Sequence, residues 1–296
     1  MVKVIFILFL LLCIPDYVLA QQGRGGGNFS NIGNFIFSFK YISMAGFALI
    51  CIVLMRLKML KSWVRLLLMA TAFFVFSFVF ELHPSPVCAT TKPFLFGLRT
   101  QFLSFLLVSA VLSFIATKGF CGSACPAGGF QELIYKLPVL KKLKRHRVPF
   151  IITNSIRTLV FLVFLFFVFG WKTNIYDRAN LFEYLHLSFP TNPGTLFIYL
   201  IPFIIYVAAS VISYRPFCAY VCPVGLWSWI VEQFSLTRVS LISDKCNQCK
   251  KCEKSSPCTA IYDIVAKKKV RAECFLCGVC LEVCPEDALK FGFDRE

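Results

Sequence analysis

The cysteines are the residues whose spacing most directly indicates chemistry, because eight of the fifteen lie between Cys246 and Cys284. They form two runs: Cys246, Cys249, Cys252 and Cys258, then Cys274, Cys277, Cys280 and Cys284. With Pro285, the second run matches C-x2-C-x2-C-x3-C-P, a spacing that binds [4Fe–4S] cubes. Two intervening residues let a tight turn aim successive thiolates at neighbouring corners of one cube. Three ligands then fit on one loop, and the fourth comes from elsewhere in the chain.

Disulfides and zinc sites are the alternatives for eight clustered cysteines. Zinc sites usually pair two C-x2-C hooks across a longer gap, whereas here three cysteines run in series. Disulfides form in oxidising compartments, and the charge pattern described below predicts that this segment lies in the reducing cytoplasm. The spacing therefore favours iron–sulfur clusters.

The segment 241–296 resembles the two-cluster ferredoxins of bacteria. The resemblance implies an α+β ferredoxin-like domain with two [4Fe–4S] clusters. One cluster would take Cys246, Cys249, Cys252 and Cys284, and the other would take Cys274, Cys277, Cys280 and Cys258. The chain departs from the family pattern at Cys258, where five residues rather than three separate it from Cys252 and a proline precedes it.

Composition places the rest of the chain in a membrane. Hydrophobic residues make up 58% of it and charged residues only 16%, against about a quarter charged in soluble domains. The net charge of +16 is carried almost entirely by residues 1–240, since 241–296 holds ten Lys/Arg and nine Asp/Glu. Short cytoplasmic loops of membrane proteins carry such a basic excess. The sequence therefore predicts a lipid bilayer, and not nucleic acid, as its partner.

The order of segments predicts an all-α polytopic membrane domain ahead of the ferredoxin-like tail. Residues 1–20 have the basic start, apolar run and small-residue end of a signal peptide, with an uncleaved first membrane helix as the alternative. Residues 21–36 form a Gly-rich tether. Residues 37–240 are predicted to cross the membrane five times, with spans near 37–55, 64–80, 101–117, 150–171 and 196–214. Lys/Arg-rich loops after the first and third spans predict a plasma (inner) membrane protein with a cytoplasmic tail.

An internal repeat supplies four more candidate ligands. The motif F-C-x3-C-P-x-G occurs at Cys121 and Cys125 and again, 97 residues later, at Cys218 and Cys222. An amphipathic stretch follows each copy and is predicted to lie on the membrane surface. Three interpretations stay open: a third metal or cluster site shared by the two copies, a redox-active dithiol, or a helix-ending motif. Arg157, a charge inside the fourth predicted span, is a further functional candidate.

Taken together, the paired motifs and the cysteine-rich tail over about 64–293 resemble the membrane polyferredoxin family that includes NapH/MauN and NosR-type proteins. The resemblance implies electron transfer between a quinol pool or a cytoplasmic donor and a partner oxidoreductase, with quinone as a further ligand. The chain would then be an electron carrier or the quinol dehydrogenase subunit of a larger complex. The alternative is an assembly factor that reduces a metal or a thiol in a partner oxidoreductase. No catalytic residue is identified.

Overall fold

The computed structural model describes residues 39–80, 85–97, 100–138, 144, 147–185 and 193–293. The predicted signal peptide, 1–20, and the predicted tether, 21–36, lie outside the described residues. Helices dominate the described residues, which also contain one two-stranded sheet.

Five long helices build the membrane-type part. They are α1 (Phe39–Arg56), α2 (Ser62–Phe74, extended by a π-helical turn Val75–Val79), α5 (Thr100–Ile115), α7 (Phe150–Trp171) and α10 (Pro193–Ile212). Among the described residues, two helices are long and apolar enough to cross a membrane: 62–79, with a mean hydropathy of 1.8, and 150–171, with 2.1. The other predicted spans coincide with shorter apolar helices, so the five-span topology stays a prediction.

In the membrane-type part, seven short helices lie between and after the long ones among the described residues, and five of them begin at a proline. They are α3 (Pro86–Thr91), α4 (Pro93–Phe96), α6 (Pro126–Lys136), α8 (Tyr176–Ala179), α9 (Leu181–Leu185), α11 (Pro216–Tyr220) and α12 (Pro223–Glu232). Helix α6 begins directly after Cys125, and helix α12 begins directly after Cys222. The proline forces each of these cysteines into an extended conformation and then opens the helix. The C-P pair therefore ends one turn and starts the next element.

Helices α6 and α12 pack against the bundle along one face and leave their apolar stripe on the other, so their predicted position at the membrane surface stays a prediction. Gly129 of α6 lies against the backbone of Met69, midway along α2, and Lys136 donates a hydrogen bond to Ser62 O at the start of α2. The small and charged residues of α6, including Glu132, are buried, whereas the apolar stripe that predicted a surface helix is only half-buried. Helix α12 shows the same pattern, with Ile230 and Phe234 outward. The apolar stripe was correctly identified, but it faces away from the bundle because the other face carries the buried polar contacts.

The tail is an α+β unit built on one antiparallel pair. Strand β1 (Thr237–Leu241) pairs with strand β2 (Leu289–Phe293), and Leu241 lies opposite Leu289. Three short helices carry the intervening chain: α13 (Lys251–Ser255), α14 (Ala260–Val265) and α15 (Val279–Glu282).

The tail is joined directly to the bundle. Thr237 forms an isolated parallel bridge with Ala116 just after α5. A second apolar core combines side chains from the ends of α1 and α2, including Met55 and Val64, with Ile261 and Leu289 of the tail. The tail therefore shares its core with the bundle.

Candidate functional site

The structure brings the four cysteines of the repeat into one buried cavity. This cavity, here called the cysteine cavity, is lined by Cys121, Cys125, Cys218 and Cys222. Its other walls are apolar side chains, among them Pro86 of α3 and Phe182 of α9. Those two helices lie in the connections that follow the second and fourth predicted spans. The two connections are tied together, because the Asn180 side chain donates a hydrogen bond to Ser85 Oγ (3.1 Å).

Each repeat places a polar side chain beside the first cysteine of the other repeat. Gln131 Nε2 donates a hydrogen bond to Cys218 Sγ (3.5 Å), and Ser228 Oγ lies 3.8 Å from Cys121 Sγ. Gln131 and Ser228 occupy the same position in the two repeats, 97 residues apart. The cavity therefore has an approximate two-fold arrangement, which matches the constant offset of 97 residues between the two repeats. Hydrogen bonds to sulfur of this kind tune the ligands of iron–sulfur clusters.

Two basic residues at equivalent positions each donate hydrogen bonds to the backbone of the other repeat. Arg215 donates hydrogen bonds to the carbonyls of Cys121 and Gly122, and Lys118 Nζ donates to Gly225 O (3.0 Å). Lys118 and Arg215 also occupy equivalent positions, three residues before the first cysteine of each repeat. Each repeat thus holds the cysteine loop of the other one in place.

The glycine of each C-P-x-G motif is required by close approach. A Cβ at Gly128 would lie 2.7 Å from the Arg215 guanidinium, and one at Gly225 would lie 2.6 Å from Cys218 O. Side chains at these positions would displace the residues that hold the cysteine loops.

A buried charge network surrounds the cavity. Glu132 accepts from Arg65 Nε (2.5 Å) and Arg215 Nη2 (2.6 Å). Glu273 of the tail pairs with Lys118 and with Arg157 Nη1 (2.9 Å). Burial alone would raise the pKa of the Glu273 carboxyl, but the charges of Arg157 and Lys118 outweigh it and hold the pKa below its usual value.

The network has more cations than carboxylates. Among the described residues it contains four cations and two carboxylates. The two surplus positive charges lie beside the cysteine loops, where they would offset part of the negative charge that bound thiolates bring. Arg157, singled out from the sequence, also donates a hydrogen bond to Cys218 O (2.9 Å), so it belongs to this site.

In the tail, the structure brings together the cysteines assigned to the second cluster. Cys258 is hydrogen-bonded to Cys277 and lies within electrostatic reach of Cys274 and Cys280. The hydrogen bond between the two thiols raises the pKa of Cys258 and lowers the pKa of Cys277, which burial would otherwise raise. Despite the unusual spacing before it, Cys258 therefore reaches the second run.

The cysteines assigned to the first cluster are more open. Cys252 lies within electrostatic reach of Cys284. Cys246 is half-buried and Cys249 is exposed, on the loop that precedes α13. Asn247 on that loop donates a hydrogen bond to Glu286 (3.1 Å), next to the Cys-Pro pair that ends the second run. This contact places the two runs side by side.

The described cysteines are not arranged around a single metal ion. Within the part of the chain that the structure describes, no group of three or more His, Cys, Asp or Glu side chains is arranged to hold one metal ion. A tetrahedral zinc site brings its sulfurs to within about 3.8 Å of one another, given Zn–S bonds of about 2.3 Å. A cube spreads its ligands over four corners. The donor sets consist of cysteine alone, a ligand type that both zinc sites and iron–sulfur clusters use.

Sequence reasoning missed most of the residues around the cysteines. Lys118, Arg215, Gln131 and Ser228 could have been found by aligning the two repeats, since they recur at the same offset. Glu273 and its neighbour Phe275, which lines the cysteine cavity, reach it from the tail. No short-range pattern in the sequence indicates that contact.

Comparison with known proteins supports iron–sulfur chemistry. A family model described as "4Fe-4S binding domain" matches residues 98–146 and 195–240. These two segments contain the cysteines of the cysteine cavity and not those of the tail. No solved structure shows significant similarity to the chain.

Three relatives are similar over about two thirds of the chain. The uncharacterized proteins MJ0749 and MJ0750 of Methanocaldococcus jannaschii are each 29% identical to it, over 63% and 65% of the chain and 69% and 79% of their own lengths. YccM of Escherichia coli, whose name describes it as a candidate electron transport protein, is 26% identical over 64% of the chain and 55% of its own length. Together the comparisons support a 4Fe–4S ferredoxin-type protein with an iron–sulfur electron-transfer role.

Proposed function

We propose that the chain is a membrane-bound electron carrier with two [4Fe–4S] clusters in its tail and a third in the cysteine cavity. One observation carries the proposal. The segments that match a 4Fe–4S binding domain contain four cysteines from two distant repeats, and these four line one cavity. An iron–sulfur cluster takes up and releases one electron at a time, its potential being set by burial and by hydrogen bonds to sulfur.

The residues around the cavity perform three tasks for such a group. The surplus cations offset the negative charge that four thiolates bring into a buried site. Gln131 and Ser228 provide polar contacts to the sulfurs at the places where the two repeats meet. The apolar walls, with Pro86 and Phe182, exclude water, which limits oxidation of the sulfur atoms.

The burial of the cavity thiols argues against the dithiol alternative. Thiol exchange needs an accessible thiolate, whereas Cys121, Cys125, Cys218 and Cys222 are all buried. The same argument weakens a maturation role based on thiol exchange with a partner protein.

A bilayer location is supported by the outer surface of α7. This helix exposes large apolar side chains that would be costly in water, among them Ile151 at 77% exposure and Phe169 at 74%. We place the chain in the plasma (inner) membrane with the tail in the cytoplasm, as the basic loops predict.

The electron donor in this proposal is a quinol or a cytoplasmic protein, and the acceptor is a partner oxidoreductase. A cleft beside Cys258 supports the quinol option, since it opens near the start of α7 and the end of α10 and is lined by Tyr135, Tyr214 and Tyr220. Aromatic and hydroxyl groups of this kind suit a quinone ring.

Electron transfer across a sealed membrane tests the proposed function. The full chain would be purified without oxygen and reconstituted into liposomes that enclose ferricyanide, with dithionite outside. We expect reduction of the enclosed ferricyanide by the wild type, at least tenfold slower transfer by Cys121→Ala/Cys218→Ala, and an unchanged rate for Cys51→Ala, a buried cysteine of α1. A wild-type rate equal to that of empty liposomes would contradict the proposal. Intact, reducible clusters with no transfer would favour the maturation role instead.

A further inference from the structure

One segment of the tail enters the membrane-type bundle. Residues 273–276, here called the plug segment, lie within the connection between α14 and α15, directly before Cys277. Phe275 is 3% exposed and belongs to the apolar core of the bundle rather than to the core of the tail. Its side chain lines the cysteine cavity together with the four repeat cysteines. The plug segment is therefore shared between the two cysteine sites.

The plug segment is held by both repeats at once. Its carboxylate, Glu273, pairs with Lys118, which precedes the first repeat motif, and with Arg157, which contacts the second. Its backbone carbonyls at Phe275 and Leu276 accept hydrogen bonds from Arg65 of α2, at 3.3 and 2.5 Å. Buried charge-assisted bonds of this kind are strongly destabilising to break from one side only.

The aromatic ring sits between two cations that hold the repeats together. Lys118 Nζ lies 4.9 Å and the Arg215 guanidinium carbon 5.1 Å from the centroid of the Phe275 ring. The Tyr214 ring packs edge-on at 5.9 Å. Lys118 and Arg215 are the pair that crosses between the repeats, so the ring contacts both cations that join the two cysteine loops.

The first repeat is shaped to receive the plug segment. A Cβ at Gly122 would lie 2.6 Å from Phe275 O, so only glycine permits this approach. Gly122 is also a carbonyl acceptor for both Arg65 and Arg215. The second repeat has Ala219 at the corresponding position, so the two repeats differ where the tail enters.

We propose that the plug segment closes the cysteine cavity from the tail side and fixes the tail on the repeats, with Phe275 as the seal and Glu273 as the latch. Because Phe275 follows Cys274 directly and precedes Cys277 by two positions, the seal also sets the distance between the tail thiols and the cavity thiols. The purpose of the seal would be to keep a short path between two redox sites free of water, and this purpose rests on the proposed function. The seal and the latch themselves rest on geometry alone.

Thiol labelling of the full chain tests the seal. Purified protein would be treated with N-ethylmaleimide, both as isolated and after removal of iron by a chelator, and each cysteine would be followed by mass spectrometry. We expect at least tenfold faster labelling of Cys121, Cys125, Cys218 and Cys222 in Phe275→Ala than in the wild type. Phe275→Leu, which keeps an apolar side chain of similar bulk, should stay within about threefold of the wild type. Phe293→Ala, at an exposed ring of β2, is the matched control and should label like the wild type.

Labelling of Cys51, buried in α1, shows whether the bundle itself has opened. Slow labelling of Cys51 with fast labelling of the cavity cysteines supports the seal. Cavity cysteines that label at the wild-type rate in Phe275→Ala, in both states, overturn it. Fast labelling of Cys51 together with the cavity cysteines in Phe275→Ala also overturns it, because the ring would then support the bundle as a whole.

Hydrogen–deuterium exchange tests the latch separately. In Glu273→Gln we expect severalfold faster exchange both in the peptide around 273–281 and in the peptide around 118–125, since the two are joined by this carboxylate. The control Glu286→Gln changes an exposed tail carboxylate and should leave the 118–125 peptide unchanged. Unchanged exchange at 118–125 in Glu273→Gln would overturn the latch. Wild-type protein without iron would refute the proposed function and leave both tests of the plug segment valid.

Discussion

The two cysteine sites of this molecule are built in opposite ways. In the cysteine cavity the four thiols come from two repeats 97 residues apart, and all four are buried. In the tail, six of the eight cysteines lie in two local C-x2-C-x2-C runs, and Cys249 is exposed. Local spacing can define a site on its own, whereas a site assembled from distant segments needs the surrounding fold to hold it. Among the described residues, the buried ion pairs lie around the cavity, and the tail contributes Glu273 to them.

The contrast also assigns different roles. An exposed loop such as the one that carries Cys249 allows a soluble partner to approach closely. A cavity closed by apolar side chains does not, and its redox group would exchange electrons only with neighbours inside the protein. Three substitutions test whether the two regions differ in this way, and each has a control in the other region or away from both sites.

The largest effect is expected from the ion pairs around the cavity. Replacing Glu132 by Leu leaves Arg65 and Arg215 buried without their carboxylate, and should lower the free energy of unfolding by about 3–5 kcal/mol. Thermal unfolding of the detergent-solubilised chain measures the change. The control is Asp287→Asn in the tail, whose partner Lys58 is exposed; because solvent screens this ion pair, no measurable change is expected. Equal effects in the two variants would remove the distinction between the regions.

A smaller effect is expected from the motif glycines. Gly225→Ala places a Cβ against Cys218 O and the Arg157 guanidinium, and should cost about 1–3 kcal/mol and displace the second cysteine loop. Iron analysis should show loss from the cavity with the tail clusters retained. Gly46→Ala in α1, where a Cβ meets nothing within 4 Å, is the matched control and should stabilise the helix by about 0.5–1 kcal/mol. Full iron content in Gly225→Ala would show that the close approach does not shape the site.

The smallest effect is expected from the polar contact to sulfur. Gln131→Leu removes the hydrogen bond to Cys218 Sγ, which stabilises the more negative, reduced state of the site. A bond of about 1 kcal/mol corresponds to roughly 40 mV for one electron, so the potential of the cavity group should fall by about that amount. A spectroscopic redox titration would detect the change, with the tail potentials as an internal reference. A shift shared equally by all groups, or no shift, would contradict the assignment.

The sequence predicts local features of this molecule well. The cysteine spacing of the tail and the apolar helices can be identified because each depends on a few neighbouring residues. The inward face of α6 could not be identified, because its apolar stripe is real but faces outward. The buried face is defined instead by Gly129 and Glu132. Gly129 lies against the backbone of α2, and Glu132 pairs with Arg65 of α2 and with Arg215, the residue before α11. Phe275 was also missed, because its described contacts are with residues that are distant in the sequence.

Iron and sulfide analysis of anaerobically purified protein shows whether the cysteine cavity holds an iron–sulfur group of its own. The wild type should contain about twelve irons per chain, and replacement of Cys121, Cys125, Cys218 and Cys222 by alanine should reduce this to about eight, as expected for three and two cubes. About eight irons in both proteins, or no iron in the wild type, would contradict the account.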